Sequence, residues 1–134
     1  MILPCASYNS IEVMERLILK NGVVVEVEDK TCVLSHDLYM IHLEFTTIVK
    51  LESEDSELMR YCGSEYLRKT RVFRRAAVHE RDLQELINSM KESYMQTTKR
   101  YMEHPKFINR FKLMCIEEFR EQEEKMRWAV TYEE

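Results

Sequence analysis

The stretch "LYMIHLEFTTIVKL", residues 38–51, decides the fold. Tyr39, Ile41, Leu43, Phe45, Thr47 and Val49 fall on one side of an extended chain, and His42, Glu44, Thr46 and Lys50 fall on the other. That is the period of two required by a strand with one buried and one wet face. β-branched and aromatic residues dominate it, as suits a pleated, half-buried surface. It is the longest strand signal in the chain, and it predicts the central strand of a sheet.

Upstream, "VMERLILKNGVVVEVEDK" places Asn21-Gly22 between two strand-like runs. That dipeptide readily takes the positive φ angles of a two-residue type I′ turn, which predicts a hairpin. Val23, Val25 and Val27 alternate with Val24, Glu26 and Glu28, and Asp29 with Lys30 closes the strand. A short helix over residues 11–19 competes, since Val13, Leu17 and Ile18 also fit one helical face, but the turn chemistry favours the hairpin. Downstream, "ESEDSE" reads as a solvated loop, too acidic and too small in side chain to pack. A fourth strand follows over about residues 66–72 or slightly longer, and connections this short favour an antiparallel meander.

From Asp82 the period changes. Leu83, Leu86, Ile87, Met90, Tyr94 and Tyr101 recur at three- and four-residue intervals, and Asp82 with Glu85 has the spacing of a capping box. This amphipathic helix should stop near His104-Pro105, with Pro105 placed to open a second helix at its first position. Phe107, Phe111, Met114, Cys115, Phe119, Met126 and Ala129 supply the second apolar stripe, although "FKLMCIE" also fits a strand. The expected fold is α+β: an antiparallel sheet of about four strands in a meander, then two C-terminal helices packed on it. Residues 1–78 should be mainly strands and residues 79–134 mainly helices.

The chain has 134 residues, the size of one domain with a single core, and two glycines and two prolines leave no room for a long flexible linker. A formal net charge of -4 argues against a protein whose whole surface binds nucleic acid. Cys5, Cys32, Cys62 and Cys115 show neither a CxxC pair nor zinc-type Cys–His spacing, and they are expected to be reduced. "MILPCASYNS" has no cationic region and only a short apolar run, and no stretch approaches the roughly 20 apolar residues of a membrane span. The expected location is cytoplasmic.

The Asn21-Gly22 hairpin with Glu26 and Asp29 behind it, "YMIHLEFTTIVKL", "YLRKTRVF" and the "HPKF" between the helices together resemble a group of short bacterial proteins of uncharacterised function. The likeness covers most of the chain. It implies a single bacterial cytoplasmic domain and brings with it no activity, ligand or catalytic residue.

Several residues invite a functional reading. "YLRKTRVFRRAAVHER", residues 66–81, is densely cationic in an acidic chain. On a strand, Arg68 and Arg74 share a face with Thr70, while Lys69, Arg71 and Arg75 share the opposite one, so they cannot all converge on one ligand. One reading is that they protect a sheet edge, with countercharge from "ESEDSE" or the Glu-rich C-terminal helix. The other is that Arg68, Arg71, Arg74 and Arg75 bind the phosphates of a nucleotide or nucleic acid through the guanidinium fork. Arg71-x-x-x-Arg75 resembles the first half of the arginine pattern of PilZ domains, which bind a cyclic dinucleotide. The Asp/Asn-x-Ser-x-x-Gly element that should follow is missing, because Gly63 is the last glycine, and the resemblance ends there.

Cys62, beside Arg60 in "RYCGSE", is the one thiol whose setting invites a nucleophile, provided His36, His42 or His79 reaches it. No family signature surrounds it, and no catalytic residue is expected. His36, His42, His79 and His104 lack HxH or HExxH spacing, and two glycines cannot write a phosphate loop, so neither metal nor cofactor is expected. The second helix, if it runs to Ala129, measures about 37 Å at 1.5 Å per residue, more than a small sheet covers. Its end, with Met126, Trp128, Val130 and Tyr132 among glutamates, packs either on another subunit or back on its own core. The expected function is a non-enzymatic interaction or regulatory module, acting as a homodimer or protein-partner binder. The alternative is a small anionic-ligand (nucleotide) or RNA-binding domain using the basic strand.

Overall fold

The computed structural model describes the backbone of residues 13–133 and the side chains of residues 15–129. Its elements are β1 (Val13–Ile18), β2 (Val24–Asp29), β3 (Cys32–Ser35), β4 (Leu38–Lys50), α1 (Ser56–Cys62), β5 (Tyr66–His79), α2 (Glu80–Met102) and α3 (Phe107–Glu133). All strand pairs are antiparallel. β4 is the central strand its alternation predicts: β5 pairs with one edge along its whole length, while β2 and β3 share the other edge in succession. With β1 outside β2, the sheet is a meander.

The sheet has five strands rather than about four, and side chains explain the extra break. The Asp29 carboxylate accepts the Thr31 N–H (2.9 Å), drawing it out of the ladder. The buried Thr31 hydroxyl takes the His42 N–H (3.3 Å) where a strand carbonyl would. Lys30 still donates to the His42 carbonyl (2.8 Å), so β2 and β3 keep one register against β4.

The hairpin forms with a different turn. Leu19 N–H donates to the Val23 carbonyl (2.8 Å) and Gly22 N–H to the Leu19 carbonyl (3.0 Å), enclosing a three-residue loop in which only Gly22 has positive φ (87°). This is the bulged alternative to the type I′ turn. Asn21 has other work: its Nδ2 donates to the Met102 carbonyl (2.7 Å) at the end of α2.

α1 occupies part of the expected loop. Its stability comes from α3: Lys112 pairs with Asp55 (2.6 Å), Arg120 holds Glu57 through two nitrogens (2.8 and 2.7 Å), and Tyr61 stacks on Phe119 (5.1 Å) and donates to Glu123 (2.6 Å). Gly63, at φ 66°, closes the helix onto the Met59 carbonyl. β5 runs fourteen residues, well beyond residue 72, because β4 offers a partner edge all the way to Leu38. A bulge lies between Arg75 and Val78, where Ala77 has φ 57°.

α2 begins earlier than its sequence signal. The N-cap is His79, whose Nδ1 accepts the Arg81 N–H (3.2 Å), so the Asp82–Glu85 capping box goes unused and Asp82 faces the helix dipole from the first turn. α2 stops before His104-Pro105 as expected. α3 starts at Phe107, two residues after Pro105, and residues 111–117 are helical.

Ile41, Leu43 and Phe45 of β4, with Val25 of β2, are essentially without exposed surface. Leu83, Ile87 and Tyr94 of α2 cover them together with Phe107, Phe111 and Cys115 of α3, spaced four residues apart on one helix side. No helix among the described residues is long and apolar enough to cross a membrane.

Two stability predictions follow from the bulge and the α1–α3 junction. A left-handed Ala77 pays a steric cost that glycine avoids, so Ala77→Gly should raise unfolding stability by about 0.5–1 kcal/mol despite its greater chain entropy, as an urea melt would record. At Asp55, burial opposes ionisation, but Lys112 and the Glu52 N–H outweigh it and hold the carboxyl below its usual value. A lowered folded-state value stabilises above the unfolded pKa near about 4 and is lost as pH falls through the folded one. Lys112→Met should therefore cost about 1–3 kcal/mol at neutral pH. The gap to wild type should close on acidification below about pH 4, and a gap that persisted would assign the loss to packing.

Candidate functional site

The pairing of β5 with β4 fixes where each cation of the basic stretch goes. Arg68 lies opposite Ile48 and Arg74 opposite His42, on the sheet face that carries no helix. Lys69, Arg71 and Arg75 lie opposite Thr47, Phe45 and Ile41, on the face turned to α2 and α3. The four candidate arginines thus divide two and two.

On the helix-free face Arg68, Lys30 and Arg74 have partners. Arg68 Nη1 contacts Glu26 (3.3 Å), and Lys30 bridges Glu28 (3.3 Å) and Glu44 (3.2 Å). Arg74 Nε donates to His42 Nδ1 (3.4 Å), which leaves the ring proton on Nε2, where it donates to Glu44 (2.8 Å). This His42 hydrogen bond, helped by Lys30 and opposed by burial, holds the Glu44 carboxyl below its usual range. The hydrogen bonds of Glu44 and Glu28 in turn push the Lys30 ammonium up. The countercharge on this face therefore comes from neighbouring strands rather than from residues 52–57.

The helix-facing cations have a different setting. Lys69 reaches Glu118 of α3 (2.5 Å). Lys69 and Arg71 also line an open cavity of about 310 Å³ between β4, β5, α2 and α3, joined there by Arg110. Phe45 stacks on Tyr94 inside it, with ring centroids 3.9 Å apart. Burial pushes the Tyr94 hydroxyl up, offset in part by Thr47, Arg71 and Thr98. Arg75 is exposed and does not line the cavity. Arg110 carried no sequence signal, since an isolated arginine on an amphipathic helix reads as surface until a neighbouring strand places other cations beside it.

The thiols offer no activated nucleophile. Burial pushes Cys62 up, and it pushes Cys115 up to about 11. A reactive cysteine needs the opposite shift. The histidines are engaged elsewhere: His42 with Glu44, His79 as a cap, and His104 through Nδ1, which accepts the Lys106 N–H (3.1 Å). His36 sits at φ 39° in the turn between β3 and β4. Among the described residues no group of three His, Cys, Asp or Glu side chains could hold a metal ion. The expectation of four reduced cysteines fails at Cys32, which is disulfide-bonded, whereas Cys62 and Cys115 are free. Cys5 lies outside the described residues.

At the other candidate surface, the last partly buried apolar residue of α3 is Phe119. Met126 is 70% exposed and Trp128 61% exposed. Two residues apart on a helix is about 200°, so these two project from opposite sides. Val130 and Tyr132 fall in the last turns, outside the residues whose side chains are described.

No protein-family model, curated protein or solved structure matches this chain.

The thiol assignment predicts an alkylation pattern. In denaturant without reductant, iodoacetamide should label Cys62 and Cys115, while Cys32 should label only after reduction. Peptide mapping that found Cys32 alkylated beforehand would refute the bond.

Proposed function

We propose that this protein is a non-enzymatic interaction module that assembles as a homodimer through the outer side of α3. The carrying observation is that α3 outruns the domain it packs on. It spans 27 residues, about 40 Å at 1.5 Å per residue, yet its last fully buried side chain is Cys115. Across residues 120–129 only Glu123 is even half-buried.

The outer side has a composition that suits a second copy. Counting about 100° per residue, Met114, Glu117, Lys125 and Trp128 fall within one side of the helix, with Leu113 flanking them. Leu113, Met114 and Trp128 are large and exposed, at 61%, 43% and 61%. In a two-fold antiparallel pairing, Trp128 of one chain meets Met114 of the other, and the same register sets Lys125 against Glu117. These pairs are complementary across the two-fold, as an isologous interface requires, while Glu121, on the same side of the helix, meets its own copy at the axis and opposes the pairing. Met126 points away and takes no part. A nucleotide or RNA surface along β5 has less support, because Arg68 and Arg74 are engaged by Glu26 and His42 on the face opposite to Arg71 and Arg75.

Trp128 is the sole tryptophan, so its emission reads this interface directly. Emission should shift to the blue as protein concentration rises, in step with dimer mass in sedimentation velocity. Trp128→Ala should weaken the dimer by about 30-fold, the loss typical of a truncated aromatic anchor. Lys125→Glu should weaken it by a smaller factor, and adding Glu117→Lys should restore it. A single-chain mass with constant emission up to high concentration would defeat the proposal.

A further inference from the structure

The cavity under α2 and α3 shares Met114 with the side of α3 that pairs, but it has features that the pairing does not use. Its walls are aromatic: Phe45 and Tyr94 stack at 3.9 Å, Phe107 and Phe111 at 5.4 Å, and Tyr101 meets Phe107 edge-on at 5.2 Å. Tyr101, at the rim, is 54% exposed although most of its ring is apolar. A volume of about 310 Å³ falls at the small end of ligand pockets, roughly 300–1,000 Å³.

The charge of the lining is one-sided. Lys69, Arg71 and Arg110 line it, and among the described residues no Asp or Glu does. Lys69 has Glu118, but among the described residues the guanidinium groups of Arg71 and Arg110 have neither an ion-pair nor a hydrogen-bond partner. They differ in this from Arg68, Arg74 and Arg120, each of which contacts an acceptor. Two unpaired guanidinium forks at the mouth of an aromatic cavity favour a flat apolar body with a carboxylate at one end. A nucleotide fits less well, since its sugar and base need several polar partners and the deeper walls offer only the hydroxyls of Thr47, Thr98 and Tyr94.

We infer that this cavity is a binding site for a small aromatic monocarboxylate, with the ring among Phe45, Tyr94 and Phe107 and the carboxylate held by Arg71 and Arg110. Of the arginines singled out in the basic stretch, only Arg71 serves this site. Arg110 comes from α3.

The test uses the full chain and 2-naphthoate as probe, titrated by calorimetry beside 2-naphthamide, which has the same ring without the charge, and AMP. Naphthoate should bind at least tenfold more tightly than the amide and than AMP. Arg71→Ala and Arg110→Ala should each weaken naphthoate about tenfold while keeping the wild-type circular dichroism spectrum. Arg74→Ala, on the opposite sheet face, should leave the affinity unchanged. No naphthoate binding, equal affinity for acid and amide, or equal losses in Arg71→Ala and Arg74→Ala would overturn the site. Tighter binding of AMP than of naphthoate would overturn its ligand class.

Discussion

A strand hydrogen-bonded along both edges leaves its side chains only two directions, and β4 is such a strand over almost all of its thirteen residues. Each neighbour must present its own residues to the same two faces, because paired positions share a face. One face therefore collects Val25, Ile41, Leu43 and Phe45 and requires helices to cover it. The other collects Glu26, Glu28, His42, Glu44, Arg68 and Arg74, which neutralise one another in the open. The division of the basic stretch is a consequence of the same register. No rearrangement of side chains alone could bring Arg74 to the face of Arg71, since a one-residue slip of β5 would also expose Leu67 and Phe73.

The second constraint is the seat of α3. Its first half is fixed by Phe107, Phe111 and Cys115 on the sheet and by Lys112, Arg120 and Glu123 on α1. The α1 contacts are polar but not all alike. Lys112 and Asp55 are each only 14% exposed in their side chains, so their pairing is shielded from solvent, whereas Arg120 is more than half exposed and gains less from its charge. Beyond Glu123 every described side chain is exposed.

What the sequence disclosed follows from how local each signal is. The alternation of β4 and β2, the helical period of α2 and α3, and the stop before Pro105 are written in adjacent residues. They are legible because burial imposes a period on the chain. The misread features all depend on a partner far along the sequence. Asn21 leaves the expected turn for the Met102 carbonyl, 81 residues away. α1 forms where acidic small residues discourage it, because α3 supplies Lys112 and Arg120. β5 outruns its apolar pattern, since β4 gives it an edge to follow, and His79 takes the capping role that the Asp82–Glu85 spacing assigns to Asp82. The cavity was invisible for the same reason. Arg71 was in view as one of a charged run, but Arg110 joins it only once α3 lies against β5.

The contrast between the two faces of β5 bears on the meaning of its arginines. If the cations served only to keep a sheet edge soluble, both faces should show the same habit, each charge meeting the nearest carboxylate. On the helix-free face Lys30 and Arg68 do so within β2, β4 and β5, and Arg74 meets His42 instead. The cavity does not, in a chain where Asp and Glu outnumber Lys and Arg by 24 to 20. Glutamates stand close by in sequence, at Glu117, Glu118 and Glu121 of α3, and Glu118 reaches Lys69. None lines the cavity beside Arg71 and Arg110. Arg71 and Arg110 are both exposed, so their guanidinium groups remain open to an incoming anion. A positive, acid-free rim is thus the arrangement expected of a site whose countercharge arrives with its ligand.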